Sequence, residues 1–321
     1  MSAVKDVVKQ AIAYMPETIK VGFLRLMSSL SPSMRTKMGY RIALVVSFYT
    51  KTSLTVTTSM GISRDYRYEV SATFAPGIAW GKPQFDDQEW HSMLLAGHLS
   101  KECDCFIDVG SYIGYYVLYV RAITDESKPI FYFEPIPEYF ELIQQNVTRN
   151  HLNNVTGFNK AVSDSTGYTT FYRNNTHSTC GSLTDRYMNK HAVQEITVET
   201  ISFDDFVSSC GLSDICVKID IEGAEHLFLK GAAHSLNRVR YIVIEVLDVK
   251  SDFLKEMKIR GYEVYHITER GLVHCPTGTD VYIPGQWNWL ICDLKPEQLR
   301  DKVQQIGLEI VEQTSNQVDR S

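Results

Sequence analysis

Three observations point to an α/β protein built on a mostly parallel, doubly wound sheet. Short apolar strands alternate with helical segments from Cys105 onward. The last two strands have no helix between them. A chain of 321 residues with 44% hydrophobic residues can also fill a large core without disulfides or structural metal. Counting strands gives seven, with helices on both faces, an antiparallel C-terminal hairpin closing the sheet, and a helical/mixed extension in front. The expected divisions are 1–80 for the extension, 81–300 for the sheet domain and 301–321 for a C-terminal helix and tail.

In the extension, Val7, Val8, Ala11, Ile12, Tyr14 and Met15 recur at loose helical spacing, and Pro16 and Pro32 break the run, so residues 1–45 read as short amphipathic helices. Ser53–Thr58 and Tyr66–Phe74 read as strands, and Asp86–Ser100 as a helix with Trp90, Met93, Leu94, Leu95 and Leu99. Strands are then expected at Cys105–Val109, Pro129–Phe133, Thr156–Ala161, Ile215–Ile219 and Arg240–Val246. Helices are expected at Tyr115–Ala122, Pro137–Asn150, Ala224–Gly231 and Ser251–Ile259. Segment 165–197 exceeds what a strand–helix link requires and reads as a long loop over the ligand face, with Asn175, His177 and Ser182 as weak substrate contacts. Tyr262–Ile267 and Trp287–Cys292 form the hairpin, joined by a loop bearing Gly271, Pro276, Gly278, Pro284 and Gly285. Ile306–Val311 reads as the C-terminal helix.

Composition narrows the function. Residues 1–50 carry seven Lys/Arg against two Asp/Glu, a surplus of +5, so the remainder carries −11 of a total of −6. An acidic body is a poor match for a phosphate backbone, so no nucleic-acid partner is expected. The basic N-terminus leaves peripheral contact with an anionic membrane surface open, although a helix packed on its own core is the simpler reading. The longest apolar stretch, Ile42–Tyr49, is far short of a membrane span. No secretory leader stands out, and the seven cysteines show no framework spacing. Free thiols and a cytoplasmic location are expected.

Four segments carry chemistry. Asp108, Gly110, Ser111 and Gly114 lie between a strand and a helix, where residues without a Cβ permit a tight turn and close approach of a ligand to the helix amides. This is not the three-glycine pattern of pyrophosphate binders. Glu134 ends the next strand, 26 residues after Asp108, where a carboxylate can accept both hydroxyls of a ribose. Val162 can pack on an adenine face, with Ser163 or Asp164 accepting from its amino group, and a turn with an Asx cap explains the same residues equally well. Asp220 and Glu222 end a later strand, and Glu245 ends its neighbour on the same rim. Helix capping explains one of the carboxylates Asp220, Glu222 and Glu225 comfortably and all three poorly. His226, four residues beyond Glu222, reads as a surface or supporting histidine.

Together these segments resemble the FkbM family of S-adenosylmethionine (SAM) dependent methyltransferases. The resemblance is carried by Phe106–Tyr116 (FIDVGSYIGYY), Phe133–Ile143 (FEPIPEYFELI), Ala161–Asp164 with Gly167, Val198–Phe206 (VETISFDDF), Val217–Glu225 (VKIDIEGAE) and Ile244–Val246 (IEV), in the family's order over roughly residues 80–250. The chain departs from the pattern at Ser111–Tyr112, where Ala-Asn is common, and at His226.

The resemblance implies a class I, Rossmann-like methyltransferase using SAM and usually acting on oxygen. Glu134 would hold the ribose hydroxyls, Asp108, Gly110 and Gly114 would form the SAM loop, and Asp220 and Glu222 would line the transfer site. The expected partner is a small hydroxylated molecule such as a sugar, and Asp220 ranks first as base, ahead of Glu222 and Glu245. A metal-assisted variant ranks lower, so no metal site is assigned. The alternatives are an RNA 2′-hydroxyl methyltransferase, disfavoured by the acidic body, and a degenerate scaffold, disfavoured by intact Gly110, Glu134 and Asp220.

Overall fold

The computed structural model describes residues 14–29, 54–58, 66–70, 87–174, 181–184, 193–247, 252–278 and 286–311. Contacts divide the chain into two units, one of residues 1–85 with 142–151, the other of 86–141 with 152–321. The first holds α1 (Glu17–Ser29) and the antiparallel pair β1 (Leu54–Thr58) and β2 (Tyr66–Val70), in register from Leu54 opposite Val70 to Thr58 opposite Tyr66. The rest of the expected Tyr66–Phe74 strand lies outside the described residues, as does most of segment 1–45.

The second unit holds the sheet. Its strands are β3 (Cys105–Val109), β4 (Ile130–Phe133), β5 (Val155–Phe158), β10 (Ile215–Ile219), β11 (Val239–Glu245), β12 (Glu263–Thr268), β13 (Gly271–His274), β14 (Asn288–Cys292) and β15 (Ile310–Val311). They lie in the order β15-β13-β12-β14-β11-β10-β3-β4-β5. The seven strands expected from the sequence run side by side from β5 to β12. All pairs from β5 to β11 are parallel, and β14 inserts antiparallel between β11 and β12. This is the class I methyltransferase arrangement. The structure adds β13 and β15 at the outer edge. β13 occupies part of the segment expected to be loop, because Gly271, at φ 125°, turns the chain back against β12.

Each central strand is buried on both faces and so reads as an apolar run. On one side, Ile107, Val109, Val217, Ile219, Ile242 and Ile244 meet Phe203 and Phe206 of α5 (Phe203–Cys210), Phe228 of α6 (Glu225–Gly231) and Phe253 of α7 (Phe253–Ile259) in a single core. Against the same sheet pack α2 (Asp87–Ser100) and α3 (Tyr115–Ile123), which also contact each other. The sulfhydryl of Cys216 reaches the Ala96 carbonyl of α2 at 3.7 Å, which places Cys216, and with it Lys218, on the α2 side. α4 (Pro137–Arg149) follows β4.

Three expectations change. The strand expected at Thr156–Ala161 divides into β5 and β6 (Ala161–Ser163), which belong to different sheets. The break falls at Asn159, whose side-chain amide donates to the carbonyls of Glu134 (2.8 Å) and Pro135 (3.1 Å) and turns the chain there. The long loop at 165–197 contains β7 (Gly167–Asn174), β8 (Gly181–Ser182) and the start of β9 (Val193–Ser202), which join β6 in a second sheet of order β6-β9-β7-β8. The C-terminal helix is α8 (Pro296–Gln304), not Ile306–Val311. Pro296 starts it, and the Gln298 side-chain oxygen accepts from the Lys295 amide at 3.0 Å. Ile310 and Val311 instead pair with β13.

None of the six described cysteines is in a disulfide, and Cys180 lies outside the described residues. Among the described residues, no helix is long and apolar enough to cross a membrane.

Candidate functional site

The carboxyl ends of β3, β4 and β10 meet β6 and β8 at a cleft. Its rim is set by backbone geometry. Gly110 leaves β3 at φ 81°, and a Cβ there would stand 1.8 Å from the Asp220 carbonyl, so the turn admits only glycine. The amides of Gly110 and Ser111 both donate to the Phe133 carbonyl (3.1 Å each), and the Asp220 amide donates to the Val109 carbonyl (2.9 Å). Tyr112, at φ 52°, completes the turn, and Gly114, at φ 86°, leads into α3. The departure at Ser111–Tyr112 thus has a place in the fold. The Ser111 hydroxyl donates to the Asp108 carbonyl at 3.0 Å, and the Tyr112 ring packs edge-on against Tyr139, 4.9 Å between centroids.

Glu134 sits at the mouth of this turn. Its Oε2 accepts from the Tyr112 amide and its Oε1 from the Ile136 amide, both at 2.8 Å. Burial pushes its carboxyl up to about 8, against the pull of these two amides. Each oxygen keeps a second lone pair for a ligand hydroxyl. Around it the cleft is lined by Pro135, Ile136, Tyr139, Val162, Phe171 and Leu183, an apolar wall beside one acid. Lys160, also on the wall, pairs with Glu199 at 2.5 Å.

Beneath the turn lies a polar cluster on the α2 side of the sheet. Asp108 is fully buried, and neither of its carboxyl oxygens has a hydrogen-bond partner. Burial raises it to about 6, with Lys218 pulling the other way. The Lys218 ammonium is 3.9 Å from Asp108 Oδ1 and donates to Asp220 Oδ2 at 3.1 Å. Glu89 of α2 accepts from the Tyr116 hydroxyl (2.7 Å) and from Asn288 (3.0 Å). Glu245, level with Asn288 across β11 and β14, is raised well above the usual carboxyl range, first by burial and then by Asp220, Glu222 and Glu89.

The sequence-selected residues therefore separate. Gly110, Glu134, Val162, Asp220 and Glu222 line the cleft. Asp108 and Ser111 lie beneath the turn, and Gly114 heads the helix. Ser163 and Asp164 do not line the cleft: the Ser163 hydroxyl donates to Asp164 at 3.2 Å, and the Ser163 carbonyl packs so closely on Gly231 that a Cβ there would meet it at 2.0 Å. Glu225 accepts from the Gly223 amide and caps the turn. His226 is exposed. Ser182 is buried and donates to the Ile221 carbonyl, bracing β8 against the β10–α6 turn. Asn175 and His177 lie outside the described residues. Among the described residues, no group of three or more His, Cys, Asp or Glu side chains is placed to hold a metal.

Sequence reasoning assigned no role to Lys218, Glu89 or Asn288. For Lys218 the signal was present. A lysine in a strand that is otherwise wholly apolar must be buried with partners. Glu89 and Asn288 carried no comparable signal, because their partnership spans 199 positions.

Residues 108–267 match the family model of the methyltransferase FkbM domain. The curated hexuronic acid methyltransferase AglP of Haloferax volcanii is 31% identical over 155 residues, covering 46% of this chain and 57% of that protein. The matched segment thus spans little more than half of that relative. Among solved structures, M. jannaschii TYW2 in complex with AdoMet is 15% identical, with a TM-score of 0.38 over 75% of this chain and 85% of that one. An rRNA methylase from Streptococcus thermophilus is 12% identical, with a TM-score of 0.33 over 63% and 92%. Scores this low bear on neither fold nor activity.

Proposed function

We propose, for a chain whose residues 108–267 match the family model of the methyltransferase FkbM domain, a SAM-dependent O-methyltransferase acting on a hydroxyl of a sugar or similar small molecule. The observation that carries this reading is one shared cleft: Glu134, the Gly110 turn and the Asp220–Glu222 turn line the same cavity. The residues present fit SAM. Glu134 offers carboxylate lone pairs to ribose hydroxyls, Val162, Ile136 and Pro135 offer apolar faces to an adenine, and Gly110 keeps the turn free of side chain where the ligand backbone would pass. The AglP relative, named for hexuronic acid, supports a sugar-like acceptor.

Bound SAM supplies an electrophilic methyl group on a sulfonium. The protein aligns the acceptor hydroxyl with it and excludes water. Asp220, at the cleft edge, would accept the proton of the acceptor hydroxyl as general base. Glu222, held at φ 52° beside it on the cleft lining, orients the acceptor by a hydrogen bond, and Glu245 stands behind the pair on the neighbouring strand. The test is transfer of labelled methyl from SAM to a panel of free sugars, including hexuronic acids and their neutral counterparts. Label in an alkali-stable ether on one class supports the reading. Label on none of them, with SAM bound, removes the sugar assignment.

A further inference from the structure

On β10, Lys218 stands level with Asp108 of β3 and Val243 of β11. Its ammonium donates to the Gly110 carbonyl at 3.3 Å and to Asp220 Oδ2 at 3.1 Å, and it sits 4.8 Å from the centroid of the Tyr116 ring. The residue is 6% exposed. Among the described residues, it is the only cation in an ion pair with Asp108 or Asp220. Taking an ammonium out of water is costly, so a buried lysine persists where close partners compensate for it. Here those partners are the two turns that must keep register across the cleft.

We propose that Lys218 is a positioning residue for the cofactor turn: it ties the Gly110 carbonyl to the Asp220 carboxylate, and its charge balances the carboxylates beneath the turn. This rests on the methyltransferase reading above. Lys218 lies on the side of the sheet away from the apolar cleft wall, so it acts through Gly110 and Asp220 rather than by touching the ligand. Its charge is also felt by Asp108 on β3, Glu89 on α2, Asp220 after β10, Glu245 on β11 and, more distantly, Glu134. The Tyr116 phenol on α3 completes the surround. Without the ammonium, Asp108, Glu89 and Glu245 would lose the cation that favours their ionised forms and would hold their protons to higher pH, and a cationic sulfonium would lose its anionic surroundings as pH falls.

The test is calorimetric titration of the full-length protein with SAM from pH 6 to 9, comparing wild type with Lys218→Met and Lys218→Gln. Gln keeps a hydrogen-bond donor and loses the charge. The readout is the ratio of variant Kd to wild-type Kd at each pH. The expected ratio is about tenfold at pH 8.5 and climbs by about another tenfold toward pH 6, as expected when carboxyls that lost a neighbouring cation take up protons. A ratio constant with pH marks a merely structural lysine and overturns the proposal, as does failure of both variants to fold by circular dichroism. Absence of SAM binding by folded wild type overturns the methyltransferase reading itself, and the proposal with it. Wild-type binding with a flat ratio overturns only the assignment to Lys218.

Discussion

The two halves of the site are held by different physics. On the cofactor side, the backbone makes the shape: Gly110 turns at φ 81°, two amides fix the Glu134 carboxylate, and one acid faces an apolar wall. Beneath the turn, side-chain charge does the holding, with one buried ammonium set against Asp108, Asp220, Glu89 and Glu245. A site made by backbone fails sterically when a side chain is added. A site made by charge keeps its shape and changes its titration. Substitutions that add bulk to the first half should therefore cost binding and stability at every pH, and those that remove charge from the second should change the pH dependence of binding or the turnover.

The largest effect is expected at Gly110. In Gly110→Ala the added Cβ would stand 1.8 Å from the Asp220 carbonyl, at a φ that disfavours any side chain. Strain and displacement of the neighbouring turn together should destabilise the protein by about 3 kcal/mol and abolish SAM binding. Urea unfolding and calorimetry measure both, and wild-type stability would show that the turn is not fixed by this contact. Next is Asp220→Asn, nearly isosteric, which should leave SAM affinity within a few-fold and cut turnover by about a hundredfold or more. Unchanged turnover on an identified acceptor would remove Asp220 as base. The smallest effect is expected at Ser163. Because its hydroxyl faces Asp164 rather than the cleft, Ser163→Ala should shift SAM affinity by less than about twofold. A tenfold loss would place the adenine against β6 in a way that the lining residues do not indicate.

Much of the parallel sheet was legible because its strands are buried on both faces and bounded by turn residues, as in Cys105–Val109 followed by Gly110. The second sheet was not. β7 and β9 pair Gly167 with Thr200 and Asn174 with Val193, and most of their side chains stay partly exposed, so the polar, β-branched stretch lacks an apolar period. The C-terminal helix was missed although Pro296 marked its first turn, because the apolar spacing at Ile306–Val311 drew the assignment. At the site, Glu134, Asp220 and Glu222 were found from their places at strand ends. Lys218 is legible only as a charge in a wholly buried strand, and its partners Asp108 and Asp220 become evident once β3 and β10 pair. Ser163 and Asp164 were selected on residue type, and which way a side chain turns at the end of a three-residue strand depends on contacts such as that with Gly231, far away in sequence.

The central claim is that Glu134 holds a SAM ribose within this cleft, and a calorimetric titration with SAM, wild type beside Glu134→Ala, tests it most directly across pH 6.5 to 9. The free carboxyl sits at about 8 and must ionise to accept hydroxyls from both sides, so binding releases a proton below that pH. Wild-type affinity should therefore climb by up to about tenfold per pH unit as pH rises toward 8, then level off. Glu134→Ala should bind at least about thirtyfold more weakly at pH 8.5 and lose the slope. Equal affinity in the two proteins, or a wild-type curve that is flat over this range, would contradict the account.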